Sequence, residues 1–353
     1  MKNKTMYNTT IEGSRPASTA FAAPAELSQK ENSRDIFVIG CGRWGTCIAW
    51  YLDKIGHKVT LYGRAGSRNL QQLQETRRNE YLEISDTMAL TSSLAGAAAA
   101  QIIVISVGAQ NLHEVMDELA ALDIRGKILV LCMKGIEIET GRRLSQVASD
   151  AISPCNRVAV WLGPGHVQEF FRGVPNCMVI DSDDAAVKDE LIQSFSGELI
   201  RFYYGTDLIG NEIGAAAKNV MGIAAGMLDG LALSSLKGAL MARGTNEISR
   251  LIVAMGGKAS TVYGLCHLGD YEATLFSPHS QNLSYGRCVV TGTPYQKLAE
   301  GFYTVKAIRR LAEAHGVELP ICEAVYQIIH EKKDPHSILK TLFARSLRNE
   351  FLM

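Results

Sequence analysis

The chain has 353 residues, 47% of them hydrophobic and 20% charged, with 36 basic residues against 36 acidic ones and a formal net charge of zero. That length accommodates two ordinary domains. The balanced charge removes any electrostatic reason to seek nucleic acid or an acidic membrane, and points instead to a small-molecule partner.

Residues 1–34 are polar and hold no apolar stretch long enough for a signal-peptide core, although "AFAA" has the small residues of a cleavage site. They read as a disordered extension, with a transit peptide as the alternative. From 35 to 205, the β-branched runs "DIFVIG", "KVTLYG", "QIIVIS", "KILVLCMKG", "RVAVWLG" and "NCMVID" alternate with helical patterns. Such spacing requires crossover connections, and so a mostly parallel sheet with helices on both faces. The segment "LAGAAAAQIIVISVGA" is too short to span a bilayer and reads as a helix end feeding a buried strand. From 206 to 353 the strands stop and helical runs take over. The fold class expected is α/β: an N-terminal Rossmann-like doubly wound sheet (35–205), followed by an all-α C-terminal domain (206–353). Eight scattered cysteines without a CxxC pair fit a reduced, cytoplasmic protein with no metal centre. Glycine-rich helical segments allow close packing, which is compatible with a homodimer.

Gly40, Gly42 and Gly45 fall where the first strand turns into a helix. In that context, GxGxxG gives a tight turn, a backbone that can approach a pyrophosphate, and close helix–strand packing over free N–H groups. An NAD-preferring site places an acid at the end of the second strand, but here that strand runs into Gly63 and Arg64. Arg64 suits the 2′-phosphate of NADP, so NADP is favoured over NAD.

Lys218 is the one ionisable residue in "IGAAAKNVMGIAAGML". Desolvation there lowers an ammonium pKa toward the range where it exchanges protons, and an ammonium also stabilises the charge that grows on a ketone oxygen during reduction. Lys134 follows a buried strand at the carboxyl edge of the sheet, where ligands collect. The turn "GPGH" would expose the backbone N–H groups of Gly163 and Gly165 toward the same edge. His166 in this loop is structural or a second proton donor. Asp270 follows a glycine, as an ordinary helix-start residue does, and Glu300 could cap the helix after it.

With "GCGRWGT", "KGIEIETGRRLSQV", "GPGHVQEF", "EIGAAAKNVMGIAAGMLDG", "ARGTNEISRL", "GLCHLGD" and "EGFYTVKAI" in this order, residues 35–350 resemble the bacterial NAD(P)-dependent glycerol-3-phosphate dehydrogenases. The resemblance implies reversible reduction of dihydroxyacetone phosphate to sn-glycerol 3-phosphate in a cleft between the two domains. It implies Lys218 as acid/base, and Lys134 and Asp270 as catalytic partners. Arg43, Trp44, Val167, Leu298 and Glu300 would line the cofactor, while Asn219, Ser280, Gln281 and Asn282 would meet the substrate. The chain departs from the family in two places. His166 and Gln168 lie in a loop more often written GP-S/T-F-A-K-E, and Gln281 stands where the family has an arginine. Glutamine gives a phosphate dianion only neutral hydrogen bonds, unless Arg243 or Arg287 takes over. The alternatives are therefore a paralogue reducing a different small keto compound, or a non-catalytic NAD(P)-binding regulator.

Overall fold

The structure is a computed structural model that describes residues 33–346, so the reading of residues 1–34 lies almost wholly outside the described residues. Strands β1 (Asp35–Ile39), β2 (Lys58–Tyr62), β3 (Ala89–Thr91), β4 (Ile102–Ile105), β5 (Ile128–Leu131), β6 (Arg157–Leu162), β7 (Asn176–Asp181) and β8 (Ile200–Tyr204) form one sheet. Their order is β3-β2-β1-β4-β5-β6-β7-β8. Only the β6–β7 pair is antiparallel. The six expected strands are present, and β3 and β8 extend the two edges. The direction of winding reverses between β1 and β4, which opens a crevice at the carboxyl ends of those strands.

Helices α1 (Arg43–Lys54), α2 (Arg68–Thr76), α3 (Leu112–Ala121), α4 (Leu144–Ala151), α5 (Val167–Phe171) and α6 (Ala185–Phe195) connect the strands. The alanine-rich run before β4 is a short 3₁₀ turn at Leu94–Ala98 rather than an α-helix end. Beyond the sheet come α7 (Leu208–Gly230), α8 (Lys237–Ala254), α9 (Gln281–Thr291), α10 (Glu300–His315), α11 (Pro320–Ile329) and α12 (Pro335–Phe343). None of the helices among the described residues is long and apolar enough to cross a membrane.

α7 is the axis of the helical half. It is apolar on nearly every face and buried without a break from Gly210 to Leu228, as expected of a helix with no polar stripe. Its first turns are fastened to the sheet by two buried carboxylates. Glu212 accepts the Ser145 backbone N–H at 2.9 Å and the Ser145 hydroxyl at 2.6 Å, and pairs with Arg143 at the start of α4. Asp181, at the end of β7, accepts the Asn211 amide at 2.8 Å. Further along, α7 and α9 touch backbone to backbone: a Cβ on Gly226 would sit 2.0 Å from the Leu283 carbonyl oxygen, and one on Gly286 2.0 Å from that of Ile223. The glycines that left room for a homodimer contact are thus consumed inside the chain.

Replacing Gly226 by alanine should overpack this contact and lower stability by about 1–3 kcal/mol, measured as a lower urea midpoint. An unchanged midpoint would contradict the packing described.

Candidate active site

The glycine turn has the form its motif requires. Gly40 sits at φ +113°, and a Cβ there would lie 2.2 Å from the Ser106 carbonyl oxygen, while one on Gly45 would lie 1.9 Å from the Gly40 carbonyl oxygen. Gly42 differs, because a Cβ there would meet nothing within 4 Å. It is the N-cap of α1, with no side-chain cap and no acidic residue in the first turn. The N–H groups of α1 therefore open into free space, a cradle that fits a pyrophosphate. Arg64, just past β2, pairs with Glu114 of α3 at 2.5 Å on the rim. Arg43 donates to Gln168 at 3.0 Å and stands over the Tyr81 ring, and Trp44 packs on Phe170, so α5 leans on the glycine turn. Val167 is buried, whereas Leu298 is largely exposed. Glu300 opens α10 near Gly108. Burial raises its carboxyl pKa against the opposing pull of the Ala109 N–H.

The three candidate catalytic residues converge. One oxygen of Asp270, Oδ2, lies 2.7 Å from Lys134 Nζ and 2.7 Å from Lys218 Nζ. Lys134 arrives from the end of β5, Lys218 from the middle of α7, and Asp270 from a 3₁₀ turn at Leu268–Asp270. Lys134 Nζ also donates to the Gly163 carbonyl at 2.6 Å, and Lys218 Nζ donates to the Thr274 hydroxyl at 2.7 Å. Gly163 thus offers the cluster its carbonyl, where the sequence suggested an N–H. Asp270 and Lys218 are buried. Burial is the main force lowering the Lys218 pKa to about 8; the Asp270 carboxylate pulls it back up and the Lys134 ammonium pushes it further down.

A relay of amides fixes the surroundings. Asn219, next to Lys218, donates to the Lys134 carbonyl at 3.0 Å and accepts from Asn282 at 3.0 Å; Asn282 in turn accepts the Gly301 N–H at 2.9 Å. Ser280 caps α9, its hydroxyl accepting the Leu283 N–H at 3.2 Å. The Gln281 side chain is held aside, its amide oxygen accepting the Tyr295 hydroxyl at 2.7 Å. Of the arginines considered as substitutes, Arg287 faces Asp229 at 3.3 Å, and Arg243 lines a groove beside α11 and α12. Sequence reasoning missed Thr274, which lies in a single π-helical turn at Glu272–Phe276. Its only signal was a hydroxyl four residues beyond Asp270. It also missed Tyr295 and His279.

A dinucleotide cradle beside a buried lysine of lowered pKa equips a nicotinamide-dependent oxidoreductase acting on a CH–OH group, and that is the class of this protein. The family model described as NAD-dependent glycerol-3-phosphate dehydrogenase N-terminus matches residues 35–188, and its C-terminus counterpart matches residues 207–340. The glycerol-3-phosphate dehydrogenase [NAD(P)+] of Pelodictyon phaeoclathratiforme is 36% identical, with 90% of this chain and 99% of that protein covered. The second enzyme of that name from Salinibacter ruber is 35% identical over 90% of this chain and 96% of its own. The crystal structure of glycerol-3-phosphate dehydrogenase from Coxiella burnetii superposes with a TM-score of 0.83 at 28% identity, covering 89% of this chain and all of that one. The chain belongs to the NAD-dependent glycerol-3-phosphate dehydrogenase family.

Replacing Asp270 by asparagine removes the main force raising the Lys218 pKa, so the alkaline limb of the coenzyme-oxidation rate should move to lower pH. The rate at neutral pH should fall at least about 100-fold. A pH profile with its limb unmoved would show that the carboxylate does not act on Lys218.

Proposed function

We propose that this protein transfers hydride reversibly between NAD(P)H and dihydroxyacetone phosphate, giving sn-glycerol 3-phosphate for glycerophospholipid synthesis in the cytoplasm. The observation that carries the reading is the shared Asp270 oxygen between Lys134 and Lys218. Gly40, Gly42, Arg43, Trp44 and Gly45 would hold the dinucleotide, with Val167, Leu298 and Glu300 along its path. When bound, the cofactor supplies the hydride. Lys218 donates a proton to the oxygen of the ketone as negative charge builds there, and takes it back in the reverse direction. Lys134 orients the same oxygen and adds positive charge, while Asp270 keeps the two ammonium groups together. Thr274 fixes the direction in which Lys218 Nζ points. Gly163, Gly165, Asn219, Ser280 and Asn282 shape the pocket for the rest of the substrate. A homodimer would cover the apolar groove at α12, where Phe343 is exposed.

The absence of an acid after β2 supports NADP as the favoured cofactor, with Arg64 as the group that meets the 2′-phosphate. Arg64→Ala should then narrow the ratio of kcat/KM for NADPH over NADH, whereas an unchanged ratio removes Arg64 from cofactor choice.

The principal test is Lys218→Met, assayed with NADPH and dihydroxyacetone phosphate. Turnover should drop by about 10²–10⁴-fold, with NADPH binding retained by fluorescence. In the unaltered enzyme, protonated Lys218 is depleted as pH rises through about 8, so ketone reduction should slow there while glycerol 3-phosphate oxidation quickens. Turnover that survives the methionine, or two pH limbs of the same sign, would contradict the role given to Lys218.

A further inference from the structure

Two histidines outside the lysine cluster lie on loops that lead away from it. His166 ends the loop that begins at Gly163, whose carbonyl holds Lys134. His279 ends the segment that leads from Thr274, the partner of Lys218, toward Ser280 and Gln281. The loops bring the two imidazoles together edge to face, with ring centroids 5.8 Å apart. His279 is exposed. His166 is 8% exposed, and its Nε2 has no hydrogen-bond partner among the described residues. Enclosed polar nitrogens are almost always satisfied, so this orphan leaves hydrogen-bonding capacity open to an incoming group. Gln281 brings no charge to this place, and Tyr295 already occupies its amide oxygen.

We propose that His166 and His279 together form the recognition site for the anionic tail of the substrate. This deepens the function proposed above and rests on it for the identity of that tail as a phosphate monoester. An imidazolium supplies both an N–H donor and a positive charge, but unlike a guanidinium it does so only while protonated. The charged groups that act on His166 are Glu169 on its own helix, Arg43 of α1, and Glu272 and His279 across the cleft. Burial first, then Arg43 and His279, lowers its pKa, and the two glutamates oppose them. A phosphate dianion arriving alongside the ring pair favours the charged imidazole, so binding takes up a proton. A site built on arginine would not behave in this way.

The test is calorimetric binding of glycerol 3-phosphate and inorganic phosphate to the full-length protein with NADP⁺ present, between pH 6 and 8.5 in buffers of differing ionisation enthalpy. KM for dihydroxyacetone phosphate is measured over the same range. Affinity should fall by up to about tenfold per pH unit above the histidine range, with net proton uptake on binding. His279→Gln, an exposed change that the fold tolerates, should weaken binding at pH 6.5 several-fold and flatten the pH slope. His166→Asn should do the same, and Gln281→Arg should restore tight binding at pH 8. The ligand's own phosphate ionisation is common to all variants and cancels in the comparison. The same slope and proton uptake in His279→Gln and His166→Asn as in the parent would overturn the proposal, as would failure of the parent to bind either ligand. Histidine-dependent binding without turnover would instead uphold the recognition site and overturn the reaction assigned above.

Discussion

One buried carboxylate oxygen shared by two ammonium groups organises this molecule. Either lysine alone in that setting would be costly, since an enclosed charge without a partner loses its hydration and gains nothing in return. Asp270 offsets that cost for both, but a single negative charge does not neutralise two positive ones. Lys218, the more deeply buried, is left with a pKa lowered to about 8, where gaining and losing a proton are of comparable cost near physiological pH. Fuller compensation would leave it permanently charged; without any, it would be neutral and unable to donate.

That balance survives only if three unconnected segments stay in register. Lys134 is fixed by β5, and Lys218 depends on where α7 lies against the sheet. Glu212 and Asp181 determine that placement from the first turns of α7, and the backbone contacts with α9 determine it further along. The amide relay through Asn219 and Asn282 ties α7, α9 and the start of α10 to the Lys134 carbonyl. The relay leaves these buried amides paired, and it makes the position of each helix sensitive to the others. Gly301, Asn282 and Asn219 thereby connect the first turn of α10, where Glu300 lies, to the α7 segment that carries Lys218.

The parts of this arrangement legible in the sequence are those under the harshest local constraint. Gly40 and Gly45 must be glycine because carbonyl oxygens occupy the space of a side chain, and Lys218 stands out because everything around it in the chain is apolar. The six internal strands show as β-branched runs because they are buried. β3 and β8 escaped notice because one is three residues long and the other, "IRFYY", is an edge strand with buried and exposed residues mixed. Thr274 was silent for a different reason: a lone hydroxyl acquires meaning only when a π-helical turn aims it at Lys218. The engagement of Arg287 by Asp229 is likewise invisible locally in the sequence. His166 and His279 are far apart in the chain, and only the fold shows that they meet.

The proton balance at Lys218 can be read directly, without turnover, by following the pH dependence of reductive methylation or the ¹⁵N resonance of that amine in the folded protein. The account predicts a titration near pH 8 that moves to lower pH when Asp270 is replaced by asparagine. An amine at 218 that titrates like a surface lysine, above pH 10 and indifferent to Asp270, would contradict it.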